Sequence, residues 1–138
     1  MNISAGFQVE QPAVFVPWGI TPAQLLDLAG GLTEVTRGYY TARCVSLGGL
    51  SHQLGFHFYP AVGGRLTELE FFQVFATPLS ESFETFQLHL EATFGPPKQT
   101  EAGSAGFPAH TWRFRRVRIV HSVFDRFGLE EHVRIQHK

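Results

Sequence analysis

Alternating apolar and polar residues dominate the middle of the chain and predict β-strands there. The predicted strands are Thr33–Thr36, Tyr39–Ser46, Gln53–Tyr59 and Leu66–Phe75. In the last of these, alternation places Leu69, Phe71 and Phe75 on one face and Glu68 and Glu70 on the other. Because Gly-rich links of only a few residues join these runs, an antiparallel arrangement is expected.

Two segments carry the signals of helices. The first follows Thr21, a capping residue type, has Pro22 at its first helical position and stops at Gly30-Gly31. The second runs from Pro78 to Phe94 and ends at Gly95-Pro96-Pro97. Its helical stripe of apolar residues consists of Phe83, Phe86, Leu90 and Phe94. Such a stripe indicates packing against a sheet.

Further strands are predicted from His110 to about Phe124 and from Leu129 to about His137, joined at Asp125–Gly128. Strict alternation through the first run would place Trp112 and Phe114 on one face and Val117 and Ile119 on the other, although all four are apolar. A β-bulge near Arg115-Arg116 would bring all four onto one face. The segment from Lys98 to Phe107 is expected to be a mobile loop.

These elements predict one α+β domain spanning residues 1–138. Its expected core is an antiparallel sheet of five or more strands with two helices packed on one face, a two-layer arrangement. Residues 1–20, which contain Pro12 and Pro17, are expected to form an extended N-terminal arm. The sequence shows no internal repeat.

Composition points to a reducing compartment and away from membranes. The chain has a single cysteine, Cys44, so no internal disulfide can form. Met1–Trp18 contains no Lys or Arg and no long apolar run, so it lacks the features of a signal peptide. No stretch approaches the roughly 20 apolar residues of a membrane span. We therefore expect a soluble, cytoplasmic protein without membrane association.

The charge is divided unevenly along the chain. Residues 1–97 contain three Arg and eight Asp or Glu, a net −5, whereas residues 98–138 contain eight Lys or Arg and four Asp or Glu, a net +4. Either the halves neutralise each other or the surface has an acidic and a basic patch. Arginines interleaved with aromatics resemble single-strand nucleic-acid surfaces, but a pI near 6.6 and the acidic first half oppose polyanion binding.

No pattern predicts catalysis, a metal or a cofactor. His52 and His57, like His132 and His137, are an odd number of residues apart, so each pair would point to opposite faces of a strand. No motif with metal-ligand or nucleophile spacing occurs. We therefore predict no catalytic residue, no metal ligand and no cofactor.

The residue types point to recognition instead, because Tyr, Trp and Arg dominate binding hot spots. The predicted partner-binding residues are Trp18, Tyr39, Tyr40, Arg113, Arg115 and Arg118. Their expected ligand is one specific protein partner.

The helix from Ser80 to Phe94, its Gly95-Pro96-Pro97 stop, Trp112 and the strands from His121 to Ile135 resemble the C-terminal half of small bacterial toxin-immunity proteins. That resemblance, over roughly residues 80–137, implies a non-catalytic module that binds and neutralises a cognate toxin by covering its active site. The order of helices and strands is also similar to small α+β secretion chaperones, although those usually end in another helix. A secretion chaperone or adaptor is therefore an alternative, as is a small-ligand-binding protein or an enzyme with an unrecognised site.

Overall fold

A computed structural model describes all residues from Met1 to Lys138. The helices are α1 (Pro22–Leu28) and α2 (Leu79–Phe94), and a short 3₁₀ turn spans Ser104–Gly106. The strands are β1 (Gly6–Val9), β2 (Val14–Pro17), β3 (Thr33–Thr36), β4 (Tyr39–Ser46), β5 (Leu50–Tyr59), β6 (Arg65–Phe72), β7 (Gln99–Ala102), β8 (Pro108–Phe114), β9 (Val117–Asp125) and β10 (Leu129–His137). The protein is a mostly-sheet domain.

Eight of the strands form one antiparallel sheet in the order β3-β4-β5-β6-β10-β9-β8-β7. It is larger than the minimum of five strands expected, partly because Gln99–Ala102 pairs with β8 as an edge strand. The sequence predicts a mobile loop here, because glycine and other small residues follow this segment. All four of its residues are exposed, so it has no apolar alternation to reveal it.

The order of elements repeats, although the sequence does not. α1 is followed by the meander β3–β6, and α2 is followed by the meander β7–β10. The last strands of the two meanders, β6 and β10, pair antiparallel at the middle of the sheet. The sheet therefore has the same topology counted from either edge.

Residues 1–20, for which an extended arm is predicted, contain the hairpin of β1 and β2. Its side chains Phe7, Val9 and Val16 are at most 3% exposed and belong to the main core. The hairpin is also tied to the β4–β5 turn, since the Glu10 carboxylate accepts hydrogen bonds from the backbone N–H groups of Gly48 and Gly49 at 3.0 and 2.8 Å. These residues are therefore an integral part of the fold.

The two helices differ in how they meet the rest of the molecule. α2 buries Phe83, Phe86 and Leu90, as its apolar stripe predicts, and contacts β10. α1 buries only Leu25 and lies closest to β2 of the hairpin. The expectation of two helices packed directly on one face of the sheet is thus only partly met. Phe75, predicted to continue β6 on the face of Leu69 and Phe71, lies beyond that strand and is 75% exposed.

The predicted bulge at Arg115-Arg116 is wrong. These two residues form a hairpin turn between β8 and β9, with Arg116 in the left-handed region at φ 62°. The turn reverses the chain, so Trp112 pairs with Ile119 and Phe114 with Val117 across the two strands. The four apolar residues share a face as expected, but by strand reversal. A two-residue turn carrying two arginines lacks the Asn-Gly or Gly-Gly signal of such hairpins.

Candidate partner-binding face

Along each central strand, one set of side chains is buried in the core and the alternate set forms the opposite surface, here called the open face. Leu54, Leu69, Ile119 and Val133 on the core side are completely buried. The open face carries Tyr39, Gln53, His57, Glu68, Glu70, Thr111, Arg113, Arg118, Val120, His132, Arg134 and Gln136. These side chains are half-buried or exposed. Mostly polar side chains that are at least partly exposed thus line this face of the sheet.

The centre of the open face is an ion-pair network of Arg134, Glu68, Glu70 and His57. Arg134 on β10 donates from Nη1 to Glu68 Oε2 at 2.9 Å and from Nη2 to Glu70 Oε2 at 3.0 Å. His57 Nε2 lies 2.9 Å from Glu70 Oε1. Burial alone would raise the pKa of the Glu70 carboxyl, but the hydrogen bond with His57 and the charge of Arg134 hold it below its usual value. Glu68 and Glu70 are therefore occupied as ion-pair partners.

Tyr39 lies over the β5 side of this network. Its ring stacks on His57 with centroids 4.3 Å apart and planes 13° from parallel. Gly55 makes room for the ring, because a Cβ there would lie 2.8 Å from Tyr39 Cε1. Partial burial, followed by the nearby charge of Glu70, raises the pKa of the phenol. An apolar ring with a polar tip is thus fixed on the open face.

A groove of about 450 Å³ lies on the open face over β8, β9 and β10. Side chains that line it include Arg118, Val120, Phe124, Arg126, His132 and Arg134. Not all of its basic groups have an acidic partner. Arg118 binds only the side-chain oxygen of Gln136, and neither Arg118 nor Arg126 forms an ion pair. The Nε of Arg134 is buried without a hydrogen-bond partner. The groove is therefore a positively charged recess.

Of the six predicted binding residues, the structure brings together Arg113, Arg118 and Arg115. Arg113 and Arg118 are direct cross-strand neighbours on β8 and β9, and both are exposed. Arg115 is exposed in the turn that joins those strands. Like charges directly opposite each other destabilise a sheet. The Arg113–Arg118 pair therefore lowers folding stability, so the needs of the fold do not explain it.

The remaining predicted residues lie apart. Tyr39 shares the open face but sits on β4, near its other side. Tyr40 points to the core side and meets Phe58 edge-on. Trp18 packs against the core, donates from Nε1 to the Ile3 carbonyl at 2.7 Å and stacks on His137. Trp18 and Tyr40 therefore have structural partners, and the six residues do not form a single surface.

Sequence reasoning missed Arg126, His132 and Arg134, which line the groove with Arg118. Alternation within each strand contains the signal. Positions 118, 120, 122 and 124 share one face of β9, and positions 132, 134 and 136 share one face of β10. What joins the two sets is the register, in which Arg134 is opposite Val120. The length of the turn after Asp125 fixes that register.

A buried polar cluster joins α2 to the sheet. His121 on β9 is completely buried, with Nε2 at 2.6 Å from Glu131 Oε2 and Nδ1 at 2.8 Å from Gln87 Oε1. Ser82 donates to the other oxygen of Glu131, and the His121 ring stacks on Phe83 at 3.9 Å. Serine, histidine and glutamate together suggest hydrolase chemistry, but Ser82 bonds to the carboxylate rather than to the imidazole. The cluster instead satisfies polar groups between α2, β9 and β10.

A second buried cluster lies between β4 and β5. His52 Nε2 is 2.5 Å from Ser46 Oγ and 3.8 Å from Cys44 Sγ. Burial lowers the pKa of His52 and raises the pKa of the Cys44 thiol to about 12. A neutral thiol in this setting is a weak nucleophile, so the cluster has the character of core packing.

The two pairs of histidines on common strands do point to opposite faces, as their spacing predicts. His52 is in the core and His57 on the open face, whereas His132 is on the open face and His137 stacks with Trp18. No group of three or more His, Cys, Asp or Glu side chains is arranged to hold a metal ion. Neither helix combines the length and apolar character needed to cross a bilayer.

Comparison with known proteins identifies no family. No family model matches the chain, and no curated protein matches it. Among solved structures it is similar to a DUF4309 family protein (YjgB) from Bacillus subtilis, at 13% sequence identity and a TM-score of 0.45. The alignment covers 86% of this chain and 78% of that one.

Proposed function

We propose that this protein is a non-catalytic binding module that receives one specific protein partner on the open face of its sheet. The observation that carries the proposal is the adjacent pair Arg113 and Arg118, exposed and without ion-pair partners beside a groove. Arginines held this way are available to carboxylates and aromatic rings of another protein.

The rest of the fold is consistent with one free face. Leu25 of α1, Phe86 of α2 and Phe7 of the hairpin all belong to one buried core with the inward side chains of the sheet. We infer that both helices and the hairpin cover that side together. A specific interface needs roughly 1,200–2,000 Å² in total, and an eight-stranded sheet offers a surface of suitable breadth.

We further propose that the partner is a bacterial toxin and that this chain neutralises it in the cytoplasm by covering its active site. The resemblance of residues 80–137 to toxin-immunity proteins supports this. The division of charge is also suitable, because complementary fields accelerate encounter between partners.

The test is capture with the full chain from the native host, followed by co-expression. The captured protein, expressed alone in a heterologous bacterium, should arrest growth, and this chain should restore it. An Arg115→Glu variant should bind more weakly, because it reverses a charge beside Arg113 and Arg118 without touching the core. If no stoichiometric partner is captured, or growth is unaffected by it, the immunity function is wrong.

The alternatives predict different outcomes of the same experiment. A secretion chaperone or adaptor would bind a harmless effector and raise its soluble yield or export. The groove favours a third possibility, since its volume of about 450 Å³ lies in the usual range of roughly 300–1,000 Å³ for small-ligand sites. A small-ligand-binding protein or enzyme would retain a small molecule, or turn one over, in the absence of any protein partner.

A further inference from the structure

We infer that the groove over β8, β9 and β10 binds an acidic segment of the partner protein, one whose Asp or Glu side chains enter the recess. This inference rests on the proposed binding function and specifies the chemistry of its partner. It commits to a polypeptide carboxylate as the occupant.

The charges of the groove support an anionic occupant. Arg118, Arg126 and Arg134 all line it, and of these only Arg134 is paired with carboxylates. The carboxylates that pair with Arg134, Glu68 and Glu70, belong to β6 and are not among the groove's lining residues. The lining therefore includes three arginines and no acidic side chain, and the one further carboxylate paired with a lining residue is that of Glu130, 3.4 Å from His132 Nε2.

The geometry of Arg118 favours a carboxylate over a point anion. Its Nε and Nη2 both donate to Gln136 Oε1, at 3.2 and 3.0 Å, and no protein hydrogen bond involves its Nη1. The side chain is thus held in a fixed orientation with part of its planar fork unused. Guanidinium groups bind carboxylates through such forks, and a pre-oriented fork loses less conformational entropy on binding.

Aromatic residues beside the groove indicate a polypeptide rather than a small anion. Phe124 lines the groove at 49% exposure, and Phe127, in the turn after Arg126, is 95% exposed. Exposed aromatic rings next to arginines match the composition of protein-binding hot spots. An acidic segment with apolar neighbours could contact both kinds of group.

A nucleic-acid strand fits less well. Residues 1–97 carry a net charge of −5, and Glu68 and Glu70 lie on the same face of the sheet, on the strand next to β10. A long polyanion that extended beyond the groove would meet these charges, whereas a short acidic segment would end before them. Polyanion binding also requires many phosphate contacts along the strand.

The direct test uses the full chain and two labelled peptides, hexaglutamate and hexaglutamine, at low ionic strength. Hexaglutamate should bind the wild type, with amide NMR shifts concentrated at Thr111, Ser122 and His132. Arg118→Glu should weaken that binding by at least about tenfold, because it removes a favourable charge and adds a repulsive one. The matched control is Arg37→Glu, a reversal at the exposed β3–β4 turn, which should leave affinity unchanged.

Three results would overturn the inference. Hexaglutamine could bind as well as hexaglutamate, the shifts could map outside the groove, or a single-stranded oligonucleotide could bind more tightly than hexaglutamate at physiological salt. A circular dichroism spectrum of Arg118→Glu identical to that of the wild type would ensure that lost binding is not lost folding.

A photo-crosslinking arm separates this inference from the proposed function. Thr111→p-benzoylphenylalanine puts the reactive group in the groove, and mass spectrometry of the crosslinked partner identifies the segment beside it. A segment rich in Asp or Glu supports the inference. A captured partner that crosslinks through a segment without acidic residues refutes it while leaving the binding function intact. Hexaglutamate binding in the absence of any captured partner would contradict the proposed protein-binding function and leave only the preference of the groove for carboxylates.

Discussion

The two units of the chain, residues 22–72 and 79–137, share an order of elements but cover their strands in different ways. In the second unit α2 has 16 residues and buries four of them. In the first, α1 has 7 residues and buries only Leu25. A helix of that length is about 10 Å long, whereas four strands are roughly 19 Å wide. The N-terminal hairpin supplies the missing apolar surface through Phe7, Val9 and Val16.

The two units also differ on the open face, in whether their charged side chains are paired. Two acidic residues on the open side of the first unit, Glu68 and Glu70, pair with Arg134 of the second unit, and Glu70 also pairs with His57. In the second, Arg113 and Arg118 have no ion pair. The charges of the first unit are thus paired across the junction between the units, whereas Arg113 and Arg118 of the second unit remain available to a partner.

The largest expected effect is on the helix of the second unit. Phe86→Ala should lower the free energy of unfolding by about 3–5 kcal/mol, because Phe86 is 1% exposed and its loss leaves a cavity. Chemical denaturation measures this. Leu88→Ala, on the same helix at 68% exposure, is the control and should change stability little. Equal stability of the two variants would mean that α2 does not pack as described.

A loss of similar size is expected in the hairpin that completes the first unit. Phe7 is completely buried and meets Phe71 of β6 edge-on at 5.5 Å, so Phe7→Ala should also cost about 3–5 kcal/mol. Phe15→Ala, in the same hairpin but 37% exposed, should cost clearly less. If Phe7→Ala were as mild as Phe15→Ala, the hairpin would not be part of the core as described.

These two residues illustrate what sequence could and could not predict. Phe86 was predictable because it recurs with Phe83 and Leu90 at helical spacing, and that stripe is indeed buried. Phe7 was not, because β1 has only four residues and nothing local shows that its partner is the core. Long periodic elements specify their buried face locally, whereas short strands depend on distant contacts.

The same distinction applies to the candidate site. Arg113 and Arg118 were identified from one arginine-rich run, and the hairpin turn places them side by side. Arg134 was missed, because its position near Arg118 depends on the pairing of β9 with β10 and of β10 with β6. Trp18 and Tyr40 were selected by residue type alone, and residue type does not distinguish a hot spot from a half-buried ring packed on the core.

A smaller effect should follow from the ion-pair network between the units. The pKa of Glu70 is held below its usual value of 4.5 in the folded protein. Its carboxylate therefore stabilises the fold above that pH, and the contribution is lost as pH falls through the folded-state pKa. Glu70→Gln should be less stable than wild type at neutral pH, with the difference shrinking in acid. Glu84→Gln, at an exposed position of α2, is the control. A difference that stays constant with pH would show that the carboxylate charge is not the cause.

We propose that Arg113 and Arg118, the unpaired arginines of the second unit, are the partner-binding groups. The most direct measurement is the dissociation constant of the captured partner for wild type, an Arg113→Glu/Arg118→Glu double variant and Arg37→Glu, with denaturation curves for all three. The affinity of the double variant should fall by at least about tenfold, that of Arg37→Glu should be unchanged, and neither variant should lose folding stability. Equal affinity of all three proteins for the partner would show that Arg113 and Arg118 are not the groups that bind it.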